Sequence, residues 1–384
     1  MKASDALEIR LHLKSYQDSM LSLLEQLVRY ESPSSNRSAQ GPLLSLLSGE
    51  LEKIDFRPIT VPRQDSGGYL FAVRRNRVKQ VPLQLLVGHC DTVWPVGTIE
   101  SMPCYRQNGR MYGPGIFDMK AGLTQMIYAL RTIFELQRPL LLEPVLLINS
   151  DEEIGSHDST ATIRRLARIA ERAFILEPPL GNIGRLKTER KGLTRLTMKI
   201  MGKAAHAGLN PEQGVSAIEE LSYQVQRLFQ LNNPETGISI NVGMIEGGIS
   251  PNTIAPQSKA IIDVRTVTKK DSLEIIDRIR AFKPHNPEVT LTVSGKLGRM
   301  PMESNKRNRK LWLQARAAGT LLGLRLEQGR SGGGSDGNTT SQFTATLDGL
   351  GAPGGGAHAS DEFIVVDQLV ERTALLTLLL LNPK

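Results

Sequence analysis

The stretch Leu83–Asp91, Leu-Gln-Leu-Leu-Val-Gly-His-Cys-Asp, limits the choice of fold more than any other part of the chain. A short apolar run ends at Gly88 and then presents His89 and Asp91 on the same side. Runs of this length, closed by a turn residue, suit a strand buried on both faces in a parallel sheet. Open α/β sheets carry their chemistry outside the carboxyl ends of such strands. His89 and Asp91 therefore read as a metal ligand and its orienting partner. Taken alone, the stretch fits a buried histidine followed by an N-capping aspartate better, and the metal reading prevails only because carboxylates recur downstream.

Carboxylates recur downstream in the same kind of place. Gly113-Pro-Gly-Ile-Phe-Asp118-Met-Lys-Ala-Gly122 precedes a run in which Leu123, Met126, Ile127, Leu130 and Phe134 repeat at helical spacing. Asp118 thus stands just before a helix, where an aspartate ordinarily acts as the N-cap. Pro144–Ile148 reads as a buried strand and leads into Asn149-Ser-Asp-Glu152-Glu153-Ile-Gly155. Neighbouring carboxylates repel, and one of them takes up a proton unless a cation compensates. Phe174–Leu176 is a further strand, ending in Glu177-Pro-Pro. Strand–helix–strand alternation predicts parallel strands with right-handed crossovers, which bring His89, Asp118, Glu152, Glu153 and Glu177 to one edge.

Before this region, Asp5–Tyr30 and Gly41–Ile54 read as amphipathic helices, and Val93–Tyr112 as a long irregular connection. From about Lys187 the pattern changes. Leu196, Met198 and Ile200 alternate as in a half-exposed strand, and Gly202-Lys-Ala-Ala-His206-Ala-Gly208 follows. Two helices and three more strands complete the order β-α-β-β-α-β, the ferredoxin-like pattern of a compact inserted domain. After Gly298 come a helix over Arg309–Leu322 and the glycine runs before Asp336 and His358. Because Gly354–Gly356 stands between core-like segments and just before His358, it is expected to allow close backbone approach to a site. The expected division is 1–186 and 299–384 for one domain and 187–298 for the inserted one. A chain of 384 residues is long enough for two cores.

Composition removes several other readings. Two cysteines, Cys90 and Cys104, cannot build a disulfide framework, and a reducing, cytoplasmic location is expected. The first thirty or so residues show no apolar run of the signal-peptide kind. The Leu-rich Ala374–Leu381 is too short to span a bilayer and is expected to be a core helix, so no membrane partner is expected. The net charge of +8 is scattered, with small clusters at Arg74–Lys79 and Lys306–Lys310. Neither cluster has interleaved aromatics or a nucleic-acid module, so a solvated surface is expected and no nucleic-acid partner.

One histidine, a loop aspartate, paired glutamates, a lone glutamate and a distant histidine form a parts list for two metals. Each metal takes an imidazole, a terminal carboxylate and a share of a bridging one, and a water between them becomes the nucleophile. One glutamate of the pair must stay off the metals to move the proton.

The segments His89-Cys-Asp91, Gly113–Lys120, Asp151-Glu-Glu153, Glu177-Pro and Gly356-Ala-His358 resemble, in order, the five metal-site motifs of a di-zinc hydrolase family. That family includes glutamate carboxypeptidase, acetylornithine deacetylase, succinyl-diaminopimelate desuccinylase and aminoacylase. The resemblance implies a zinc-peptidase-like α/β catalytic domain with a mixed, largely parallel sheet. It also implies a ferredoxin-like inserted domain that serves as lid and dimerisation element. It assigns His89 and Glu177 to one zinc, Glu153 and His358 to the other, and Asp118 to both, with a cis peptide bond after Asp118. Cobalt or manganese could replace zinc. Asp91 would hydrogen-bond His89 and fix its tautomer, and Glu152 would be the general base. His206 would reach a partner subunit's site and polarise the scissile carbonyl, while Asn252 and Arg299 would hold the substrate's carboxylate.

The implied reaction is hydrolysis of an amide in a small peptide or N-acyl amino acid, by a homodimer. Leu176-Glu177-Pro178 and the Gly-Gly-Gly-Ser-Asp336 run favour the glutamate carboxypeptidase branch. An N-acyl amino acid deacylase, desuccinylase or dipeptidase is the alternative. A binding protein that kept the fold is disfavoured, because no metal-site residue and no base is replaced.

Overall fold

Alternation with a period of two sorts the side chains of the central strands between two apolar layers. The structure, a computed structural model, describes residues 2–181 and 183–382. Leu86, Leu146, Ile148 and Phe174 face one core, and Leu85, Val87, Val145, Leu147 and Ile175 face another. Both faces of the sheet are therefore covered, which is why Leu83–His89 and Glu143–Asn149 are buried almost throughout.

Six strands lie in the order Phe56–Val61, Tyr69–Arg74, Glu143–Asn149, Leu83–His89, Ala170–Ile175, Ala345–Leu347. The last four pair in parallel and the first two join antiparallel, giving the mixed, largely parallel sheet that was expected. Register sets the site. His89 lies opposite Asn149 and Val87 opposite Ile175, so His89, the Asp151–Glu153 segment and Glu177 leave the sheet at one edge.

Several element boundaries differ from the sequence reading. The N-terminal segment is two helices, Ala3–Ser15 and Gln17–Arg29, broken at Tyr16. The break lets the first pack on the C-terminal helix and the second on Ala121–Glu135. The next helix begins at Arg37, one turn before Gly41, because the Asn36 side chain accepts the Ala39 N–H at 3.3 Å and caps it. The Val93–Tyr112 connection is not irregular throughout. It holds the short helix Thr98–Ser101 and the antiparallel strands Tyr105–Gln107 and Arg110–Tyr112.

The C-terminal helix, Val366–Leu381, is core as expected, with Leu375, Leu376, Leu378 and Leu379 fully buried. Its last carbonyls would be orphans in an apolar setting. Buried Arg172 supplies the donors, with Nη2 2.9 Å from Leu379 O and 3.0 Å from Asn382 O. Among the described residues no helix is long and apolar enough to cross a membrane.

Arg190–Glu303 forms a second compact unit with its own core, and Gly332–Gly334 cluster with it. There Arg190 donates to the Gly333 and Gly334 carbonyls and Arg265 to that of Gly332. The element order is β-α-β-β-α-β. An antiparallel sheet runs Ser239–Gly247, Gln257–Thr266, Gly192–Met201, Thr290–Ser294, and its apolar residues join those of helices Ala217–Phe229 and Lys269–Arg280 in one core. Gly192–Met201 alternates buried and accessible residues, as a sheet covered on one face requires.

Candidate metal centre

Asp118 turns one carboxylate oxygen toward each of two histidines. His89 Nε2 lies 3.2 Å from Asp118 Oδ1 and 3.5 Å from Glu177 Oε1. His358 Nε2 lies 3.1 Å from Glu153 Oε1 and 3.7 Å from Asp118 Oδ2. Candidate ligand atoms of His89, Glu152 and Glu177 sit within 4.8 Å of one another, and so do those of His89, Asp118 and Glu153. The five segments singled out in the sequence thus meet in one place.

Local structure explains each position. Ile116–Lys120 is a kinked turn in which Asp118 (φ −116°, ψ 93°) leaves helical geometry, and the Asp118–Met119 peptide bond is cis. The helix that follows, Ala121–Glu135, is preceded by Lys120, so Asp118 is not its cap. His358 has φ +62° in the loop between Gly354–Gly355 and Phe363–Val365, two strands of a four-stranded sheet completed by Arg110–Tyr112 and Tyr105–Gln107. The glycine run serves this pairing. A Cβ at Gly354 would come within 2.0 Å of Phe363 O, and Gly356 has φ +73°. The close approach at Gly354 is to a neighbouring strand.

Asp91 meets His89 chiefly through its main chain. His89 Nδ1 is 3.0 Å from the backbone oxygen of Asp91 and 3.4 Å from its Oδ1. The main chain therefore takes the Nδ1 proton and turns the Nε2 lone pair inward. The carboxylate accepts the N–H groups of Glu152 and Glu153, at 3.2 and 3.1 Å, and the Ser34 hydroxyl at 2.7 Å. It fixes the glutamate pair as much as the histidine.

The donor set fits two divalent cations, since imidazole and carboxylate are ordinary ligands of zinc, cobalt and manganese. The electrostatics agree. Burial would lower the His89 pKa, but the Asp118, Asp91 and Glu177 carboxylates outweigh it and hold it well above the usual histidine value. The hydrogen bond that its Nε2 donates to the Glu153 carboxylate raises His358 to about 9. Burial in turn raises Glu153. So dense a group of carboxylates draws protons onto its imidazoles, and bound cations would satisfy the same demand.

Other residues at this edge had no role assigned from the sequence. Lys187 Nζ lies 3.7 Å from Glu177 Oε2, and both are buried. Asn149 and the Ser156 hydroxyl donate to the buried Asp336 carboxylate at 2.7 and 2.6 Å, bracing the turn that carries Glu152 and Glu153. Glu362 binds the Asp118 turn. Each is a polar residue that becomes informative only when its distant partner is known.

His206, Asn252 and Arg299 belong to the second unit. His206 is exposed, and its Nδ1 accepts the Gly208 and Leu209 N–H groups at 3.1 and 3.2 Å. Its proton therefore resides on Nε2. Asn252 is close by, with its carbonyl accepting the Ala207 N–H, while Arg299 is anchored through its own carbonyl to Leu193.

The sequence profile of Peptidase family M20/M25/M40 matches residues 85–382. The chain belongs to this family. Carboxypeptidase G2 of Pseudomonas sp. (strain RS-16) is 27% identical over 380 residues, 95% of this chain and 89% of that protein. Succinyl-diaminopimelate desuccinylase of Delftia acidovorans is 28% identical over 376 residues, 90% of this chain and 93% of that one. The crystal structure of aminopeptidase PepT from Bacillus cereus superposes with a TM-score of 0.82 at 20% identity, over 95% of this chain and 98% of the other. This M20 protein is therefore a hydrolytic enzyme of a metal-dependent family, with the α/β fold of its relatives.

Proposed function

We propose that this enzyme hydrolyses an amide bond next to a free carboxylate, in the manner of a glutamate-type carboxypeptidase, with two zinc ions per subunit. The observation that carries the metal reading is the Asp118 carboxylate, one oxygen toward His89 and Glu177 and the other toward His358 and Glu153. His89 and Glu177 would hold one ion, Glu153 and His358 the other, and Asp118 both. When bound, the ions polarise the scissile carbonyl and make a water acidic enough to attack at neutral pH. Cobalt or manganese would suit the same donors.

Glu152 is the base. It takes the water's proton and delivers it to the departing amine, so one carboxylate serves both halves of the reaction. Asp91 keeps Glu152 in place through the backbone N–H it accepts. His206, with its proton on Nε2, is a ready donor to the developing oxyanion.

Arg299 and Asn252 give the substrate its free carboxylate. A guanidinium offers a planar fork to a carboxylate, and an amide adds a directed donor. Losing one such charge-assisted contact, worth about 1.5–3 kcal/mol, should lower kcat/KM of Arg299→Ala by about ten- to a hundredfold. Lysine at this position keeps the charge, loses the fork and should restore little. A free-acid substrate compared with its C-terminal amide tests the assignment. Equal turnover of the two by the wild-type enzyme would remove the clamp and the carboxypeptidase reading together. The similarity to a desuccinylase over nine-tenths of the chain keeps N-acyl amino acid deacylation, or dipeptide hydrolysis, as the second reading. A screen of dipeptides and N-acyl amino acids, scored by released amine, separates these.

The second unit supports a homodimer in a reducing, cytoplasmic setting, the latter consistent with free Cys90 and Cys104. Its edge strand Ser239–Gly247 exposes Met244 and Ile245 (57% and 58%), and helix Ala217–Phe229 exposes Ile218, Tyr223 and Phe229. An exposed apolar edge is a pairing surface unless something covers it. If His206 serves the partner's site, inactive His206→Ala and inactive Glu152→Gln should regain activity when their subunits exchange. No recovery despite demonstrated exchange would refute the shared site.

A further inference from the structure

The Glu362 side chain accepts four hydrogen bonds near the centre, and neither the zinc nor the substrate assignment uses it. Its carboxylate is 1% exposed. Oε1 accepts the backbone N–H groups of Phe117 and Asp118 at 2.9 and 3.0 Å. Oε2 accepts the Gly115 N–H at 2.9 Å and the Trp94 indole N–H at 3.0 Å. The Glu362 carbonyl also receives the Gly113 N–H, and its own N–H donates to Ala359 O beside His358.

We propose that Glu362 is a positioning residue for both metals, because it holds the backbone from which Asp118 reaches them and ties that backbone to the His358 loop. This rests on the reading of Asp118 as the bridge. An aspartate side chain has only two rotatable bonds, so the place where its two oxygens point follows closely from the place of its main chain. That main chain sits in a turn from which the Gly115, Phe117 and Asp118 N–H groups converge on one carboxylate. Such a nest of donors is suited to a carboxylate. A carboxylate satisfies it, since two oxygens offer about four acceptor sites and no donor. Glutamine is nearly the same shape, but its NH2 group would confront two of the four N–H groups wherever it turned. The requirement is for acceptors, not for volume.

Groups that orient metal ligands typically change affinity by about 10–100-fold when replaced. Apo Glu362→Gln, titrated with Zn2+ against a chromophoric chelator well below its unfolding temperature, should bind both ions about 10–100-fold more weakly than wild type. A residue that merely stabilised the fold would lower Tm and leave these affinities unchanged. Trp94→Phe removes a single donor and keeps the carboxylate, and should weaken zinc binding by a smaller factor, about two- to fivefold. It decides the matter if Glu362→Gln does not fold. Wild-type affinities in folded Glu362→Gln, or in Trp94→Phe when the first variant is lost, overturn the inference. Weakening of one ion alone overturns it too, since a displaced bridge must affect both. If wild-type protein itself binds fewer than two zinc ions, the two-metal reading has failed instead, and the titration tells the two failures apart.

Discussion

Glu152→Gln is expected to keep its metals and lose about 10²–10⁴-fold in kcat, the usual contribution of a general acid–base group. The substitution preserves shape and removes the proton acceptor. The Glu152 main chain is held by Asp91 at 3.2 Å, a bond in which the side chain takes no part. Glu153 is the member of the pair that meets His358, at 3.1 Å. Elemental analysis beside steady-state kinetics checks the outcome. Loss of both metals, or turnover near that of wild type, would mean that the roles within the glutamate pair are reversed or that the base lies elsewhere.

Asp118→Ala should deplete both ions and reduce activity to that of the metal-free protein. The reason is geometric and electrostatic together. Asp118 approaches both histidines, with one oxygen 3.2 Å from His89 and the other 3.7 Å from His358. Without it, each ion keeps one imidazole and one carboxylate, and the negative charge between the two cations that offsets their mutual repulsion is gone. His89→Ala and His358→Ala should each mainly weaken a single ion, so the contrast is internal to the series. Metal stoichiometry by elemental analysis decides it: one full equivalent retained by Asp118→Ala would end its role as the bridge.

The legible parts of this protein were those whose physics is local. A buried strand closed by glycine needs only its own residues to be read, and Leu83–His89 shows it. Strand–helix alternation placed His89, Glu153 and Glu177 at one edge, because parallel strands with right-handed crossovers allow no other arrangement. The distant His358 was found through motif order. Where reading failed, the cause was a partner remote in sequence. Asp118 looks like an N-cap until the turn it occupies is seen, and that turn is held by Glu362, 244 residues away. The Gly354–Gly356 run signals close backbone approach, but that its neighbour is Phe363–Val365 is seen only in the fold. Tyr16 breaks a helix because its two halves pack on different partners, which helical periodicity does not register.

By itself, then, the sequence determined the sheet, its buried core and the kinds of side chain that gather at its edge, since hydrophobic period and ligand chemistry are carried residue by residue. Only the tertiary structure decided which oxygen of Asp118 faces which histidine, that Asp91 grips the glutamate pair through backbone N–H groups, and that Glu362 collects four donors. Those facts depend on distances between segments that the chain brings together only once the cores have closed.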